Sequence, residues 1–94
     1  MNPTPLRVLI VDDEAPARNR MRDLLADIGD ALPVTVAAEA ATGREALQAA
    51  ESGGIDVVLL DVRMPGMDGV EVAQHLQQLE RPPAVIFTTA YDAY

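Results

Sequence analysis

The sequence predicts an α/β fold in which helices cover a parallel sheet, and three observations carry that prediction. Residues 8–11 and 57–60 are apolar runs without strict alternation, the pattern of strands buried on both faces in a parallel sheet. Each run ends abruptly in acid, Asp12-Asp13-Glu14 after the first and Asp61 after the second. Between the strand-like runs lie helical segments of about 9–14 residues, giving a β-α-β-α-β-α-β order, the signature of right-handed βαβ units.

The first strand, residues 6–11, leads into a helix in which Pro16 fits the first turn, and Asp12 or Asp13 is expected to cap it. Met21, Leu24, Leu25 and Ile28 recur at helical spacing as one apolar stripe. Arg18, Arg20, Arg22, Asp23 and Asp27 fill the other faces, read here as a solvated surface, and Gly29 is a natural stop. Residues 34–38 form a short strand of weak alternation, expected at a sheet edge. Thr42 and Glu45 have capping-box spacing, starting a helix that turns Ala46, Leu47 and Ala50 inward and ends at Gly53-Gly54.

The third strand is expected to run from about Ile55 to Asp61, followed by a Pro/Gly-punctuated turn in which Met64, Pro65 and Met67 read as loop packing. Asp68 and Glu71 repeat the cap signal before a helix expected to bury Val70, Val72, Ala73 and Leu76. His75 lies beside that stripe and is assigned no role. Arg81-Pro82-Pro83 breaks the chain ahead of a fourth strand, residues 84–88, whose end is rich in hydroxyls, Thr88 and Thr89.

Ninety-four residues make one domain, with a core built from Ala, Val, Leu, Ile and Met because only one Phe and two Tyr are present. No run approaches the ~20 apolar residues of a membrane span, and the start lacks a signal-peptide pattern, so a soluble cytoplasmic protein is expected. The absence of cysteine excludes disulfides and thiolate metal sites. A net charge of −8 disfavours direct nucleic-acid binding. All seven basic residues are arginine.

In open α/β sheets the carboxyl ends of the strands form the ligand crevice. Asp12, Asp13 and Asp61 meet there if the first and third strands are neighbours, as the flavodoxin-like order 2-1-3-4-5 provides. Carboxylates so close repel, by roughly 4 kcal/mol per pair at ~4 Å and an effective dielectric of about 20. A cation must compensate, and an oxygen-only cluster suits Mg²⁺. Asp61 would keep an oxygen free to attack an electrophilic phosphorus, and Thr88 or Thr89 could donate a hydrogen bond to the transferred group.

Three strings carry a family resemblance: Leu9-Ile10-Val11-Asp12-Asp13-Glu14, Leu59-Leu60-Asp61-Val62-Arg63-Met64-Pro65-Gly66-Met67-Asp68-Gly69 and Val85-Ile86-Phe87-Thr88-Thr89-Ala90. In this order and spacing they resemble the receiver domain of two-component response regulators, over the whole chain. The ending Thr89-Ala90-Tyr91-Asp92-Ala93-Tyr94 is similar to receivers that precede a LytTR-type DNA-binding domain. The resemblance implies that a sensor histidine kinase phosphorylates Asp61 in a Mg²⁺-dependent reaction. It implies that Asp13 binds Mg²⁺ directly, that Asp12 does so largely through water, and that Asp61 and the backbone carbonyl of Arg63 complete the protein ligands. Thr89 matches the switch hydroxyl, whereas Thr88 falls one position early and should point the other way.

A receiver continues through a fourth helix, a fifth strand bearing a lysine and an aromatic switch residue, and a fifth helix. The sequence ends before them and has no lysine, so residues 1–94 are expected to be a truncated receiver domain, with DNA contacted only through a missing output domain. The fourth strand then becomes an exposed apolar edge and the first helix lacks a neighbour, implying self-association or a homodimer through that strand. The module is regulatory rather than enzymatic on this reading. The alternative is an interaction or dimerisation module that keeps the fold without phosphotransfer. A phosphatase of the haloacid dehalogenase type is disfavoured, because it wants an acid two residues after its nucleophile and Arg63 stands there.

Overall fold

The computed structural model describes residues 4–88. Four parallel strands, β1 (Leu6–Val11), β2 (Val34–Ala40), β3 (Val57–Asp61) and β4 (Ala84–Thr88), lie in the order β2-β1-β3-β4. Helix α1 (Ala15–Asp27) packs on one face of the sheet, and α2 (Gly43–Glu51) and α3 (Gly69–Leu76) pack on the other. This is the doubly wound, flavodoxin-like arrangement expected, and β1 and β4 have the expected limits. No helix among the described residues is long and apolar enough to cross a membrane.

The two faces divide by strand parity. Leu9, Val11, Val58 and Leu60 point toward α2 and α3, where Ala46, Ala50, Met64, Val72 and Leu76 complete a continuous buried core. Val8, Ile10 and Leu59 point toward α1 and are covered in part by Met21 and Leu25. Helix α1 itself buries no residue fully; Leu24 and Ile28, half of the anticipated stripe, are exposed.

Strand β2 runs two residues beyond the expected end and contains a bulge. Val36 pairs with Val8 but Ala38 with Leu9, leaving Ala37 without a partner position. The extra residue reverses which side each position faces. Val34 and Val36 therefore lie toward α1, whereas Ala38 and Ala40 join the α2/α3 core. Strand β3 starts later than expected, because the Asp56 carboxylate accepts the Arg7 N–H at 2.8 Å in place of a strand carbonyl.

The helix starts show both the value and the limits of cap signals. Thr42 Oγ1 accepts the Glu45 N–H, while the Glu45 carboxylate reaches the Ala41 N–H, one residue before the cap. Asp68 caps α3 through the Glu71 N–H as anticipated. Neither Asp12 nor Asp13 caps α1: the N-cap is Glu14, without a side-chain bond, because Asp12 Oδ1 instead accepts the Glu14 N–H at 2.9 Å in a local turn. Val70 is 48 % exposed rather than buried; at about 100° per residue it sits about 200° round the helix from Val72. Gly43 lets α2 approach α3, since a Cβ there would lie 2.9 Å from Val72 Cγ2.

Candidate functional site

The β1/β3 register decides what the strand ends bring together. Val11 pairs with Leu60, so the next residues, Asp12 and Asp61, leave the sheet side by side. Asp61 is 6 % and Asp12 9 % exposed, whereas Asp13 lies open to solvent. One carboxylate oxygen from each of Asp12, Asp13 and Asp61 falls within 4.8 Å of the others.

Local bonds orient two of the three. Asp12 Oδ1 is held by the Glu14 N–H, and Asp61 Oδ1 accepts the Arg63 N–H at 3.2 Å. Each carboxylate thereby commits one oxygen to a backbone amide, and its other oxygen has no hydrogen bond of that kind. Burial pushes the Asp61 carboxyl above the ordinary carboxylate range. The Arg63 N–H opposes that rise, and the negative charges of Asp12, Asp13 and Glu14 add to it. Both ion pairs among the described residues go to Glu39, so none of them engages a carboxylate of the cluster.

The donor set fits a small hard cation. Octahedral Mg²⁺ with oxygens at about 2.0–2.1 Å separates neighbouring ligands by roughly 2.9 Å and opposite ones by roughly 4.2 Å, and a cluster spanning 4.8 Å needs little closure to match. No nitrogen or sulfur ligand belongs to the cluster, which suits Mg²⁺ better than a softer metal.

Arg63, expected to act through its backbone, has an exposed side chain and is tied to Asp61 by its amide. Thr88 pairs with Asp61 across β3 and β4, and Thr89 lies outside the described residues. Sequence reasoning assigned no role to Gly69. A Cβ there would meet the Asp61 carbonyl oxygen at 2.2 Å and Val62 Cα at 2.8 Å, and the Gly69 N–H donates to the Val62 carbonyl. The glycine lets the start of α3 close directly onto the backbone that carries Asp61. Its position after the cap residue of a helix that follows a short loop was the available signal.

The family model for the response regulator receiver domain matches residues 8–94. This chain belongs to the response regulator receiver family. It is 48 % identical over 89 residues to the positive alginate biosynthesis regulatory protein of Pseudomonas aeruginosa, covering 95 % of this chain and 35 % of that protein. It is 37 % identical over 89 residues to the transcriptional regulatory protein LytR of Staphylococcus aureus, with the same coverage, 95 % and 35 %. Both relatives are named as regulatory proteins, the second as a transcriptional regulator. Among solved structures, the receiver domain of the putative response regulator NarL from Mycobacterium tuberculosis superposes with a TM-score of 0.84 at 37 % identity, covering 97 % of this chain and 71 % of that one. The receiver chain thus spans about a third of the length of the curated relatives it matches.

Proposed function

We propose that this receiver accepts a phosphoryl group on Asp61 from a sensor histidine kinase and relays the change to an output domain that regulates transcription. The convergence of Asp12, Asp13 and Asp61 at the carboxyl ends of β1 and β3 carries this reading. Asp61 supplies the nucleophile. Its Oδ1 is restrained by the Arg63 N–H, which leaves Oδ2 to attack phosphorus. The new O–P bond forms as the P–N bond of a phosphohistidine breaks, and the departing imidazole keeps the bonding pair and takes a proton from solvent.

Asp12, Asp13, Asp61 and the backbone carbonyl of Arg63 are the groups proposed to hold Mg²⁺. Bound there, the ion would screen the negative charge gathered on the carboxylates and the incoming phosphoryl oxygens. Glu14 keeps the Asp12 carboxylate turned into the crevice through its amide. Thr89, one residue beyond the Asp61-paired Thr88, is proposed as the hydroxyl that senses the phosphoryl group. On this reading the domain is a switch for an output, a regulatory module in the cytoplasm rather than an enzyme, and DNA is met only through that output.

Among the described residues, the two outer strands of the sheet favour a second element of the proposal, self-association through β4. Edge strand β2 carries a bulge and a charged Glu39, devices that discourage pairing. Strand β4 pairs with β3 on one side, without a register shift, and exposes Ile86 and Phe87. Light scattering across a concentration series should show mass growth that Phe87→Lys suppresses; a concentration-independent monomer would remove this element.

Intact mass after incubation with acetyl phosphate tests phosphoacceptance. A phosphoryl adduct that requires Mg²⁺ and disappears in Asp61→Asn is expected. Mg²⁺ binding without an adduct would favour the interaction-module alternative for this lysine-free chain, and an adduct surviving Asp61→Asn would move the acceptor elsewhere.

A further inference from the structure

Arg18, on the face of α1 that composition alone assigns to solvent, is largely covered and forked between two partners. Its Nη1 donates to the backbone carbonyl of Asp12 at 2.7 Å, and its Nε donates to Glu39 Oε1 at 3.2 Å. Arg22, one helical turn on, engages the other oxygen of Glu39. Glu39 is within reach because the Ala37 bulge reverses the facing of β2: Glu39 pairs with Ile10, whose side chain lies toward α1. Were Ala37 to continue the strand in strict alternation instead of bulging out, Glu39 would face α2 and Arg18 would lose its anchor.

We propose that Arg18 is a positioning residue of the acidic site, fixing the β1–α1 turn that carries Asp12 and Asp13 by gripping the Asp12 carbonyl while Glu39 holds the guanidinium in place. The turn has two further ties, the Asp12 N–H to the Ala40 carbonyl and the Glu14 N–H to Asp12 Oδ1. Arg18 adds a charge-assisted bond at the carbonyl. Its bonds go to a carbonyl and to Glu39, not to an aspartate carboxylate, so it fixes the turn without occupying oxygens proposed for the metal. An ammonium cannot reproduce the fork, since it presents a point charge where the planar guanidinium presents two directed donors.

The metal-affinity part of this inference rests on the proposed Mg²⁺ site, and the experiment separates the two. In the metal-free chain, residue-resolved amide hydrogen exchange by NMR should show protection at Glu14, Ala17 and residue 18 falling about 10-fold in Arg18→Met, with Val72 and Leu76 unchanged. Calorimetric Mg²⁺ titration should show affinity weakened about 10-fold, the low end of what loss of a supporting contact costs a metal site. Arg20→Met, which removes the same charge from the same helix, should change neither readout. Arg18→Lys should recover less than half of the lost protection.

Unchanged exchange at the turn in Arg18→Met would overturn the inference whatever the metal does. Exchange that rises equally in α2 and α3 would reduce Arg18 to a general stabiliser, and full recovery by Arg18→Lys would show that charge rather than the fork acts; either result overturns it. Failure of the unmodified chain to bind Mg²⁺ would instead overturn the metal reading, leaving the exchange result to judge Arg18 alone.

Discussion

The two faces of the sheet are built to different standards. Toward α2 and α3, Leu9, Val11, Val58, Leu60, Val72 and Leu76 are almost wholly withdrawn from water and form one continuous cluster. Toward α1, Val8, Ile10 and Leu59 are buried, but their cover is partial and Leu24, Ile28 and Ile86 remain exposed. Asp61 follows Leu59 by two positions in the same strand and so belongs to the α1 side. The acidic edge thus lies on the lightly covered side and is carried by strands anchored in the dense one. Low local stability beside a rigid support is the arrangement that permits a site to move without unfolding the domain.

The largest effect tests the contrast directly. Leu60→Ala removes a side chain with no exposed surface from the dense face and should cost about 3–4 kcal/mol, within the range for buried leucines. Leu25→Ala, only partly covered on the α1 face, should cost about 1 kcal/mol, since less area returns to water. Denaturant melts of both variants measure the pair; equal losses would show the faces to be equivalent and break the comparison.

The next effect sits at the junction of the dense face and the site. Gly69→Ala drives a methyl group into the Asp61 carbonyl, where the available separation is 2.2 Å, so the start of α3 must retreat. We expect a loss of about 2–3 kcal/mol, the scale of overpacking, together with lower Mg²⁺ affinity. A variant with unchanged stability and metal binding would show that α3 does not set the position of Asp61.

These contrasts also explain how far the sequence could be read. Strands β1 and β4 were readable to the residue because each carries four consecutive apolar residues and follows a proline, with acid closing β1 and hydroxyls closing β4, which leaves little room for a register error. The three aspartates were readable because each lies at or just past a strand end, and strand order brings them together. Strand β2 was harder, because one bulge at Ala37 places Val36 and Ala38 on opposite faces, and a sequence with two frames shows only weak alternation. The role of Arg18 was invisible for the same reason: its anchor, Glu39, faces α1 only after the bulge. Asp12 was misread as a helix cap because its carboxylate can satisfy either a helix-start amide or the nearer Glu14 amide, and it takes the latter. The exposure of Leu24 and Ile28 followed from no local signal; periodicity shows which face is apolar, not how much of it is covered.

The smallest effect reaches into the thin face itself, and its sign is fixed by the Asp61 carboxyl, which burial holds above the ordinary carboxylate range. The folded chain therefore keeps this proton at pH values where the unfolded chain, with an Asp pKa of about 3.9, has lost it. Stability from this group is full below the unfolded value and declines as pH rises through the folded one. Asp61→Asn keeps an oxygen for the Arg63 N–H but carries no charge to bury. At pH 7.5 without metal it should unfold a few degrees above the unmodified chain, and the gap should close as the pH falls below about 3.9. Mg²⁺ should narrow the gap from the other side by stabilising the unmodified chain more than the variant, since a ligand stabilises whichever folded form binds it better. Thermal melts at several pH values, with and without Mg²⁺, give all three results. A gap that widens in acid would place the burden on another carboxylate, and Mg²⁺ raising both melting points equally would mean that Asp61 is not among the groups holding the ion.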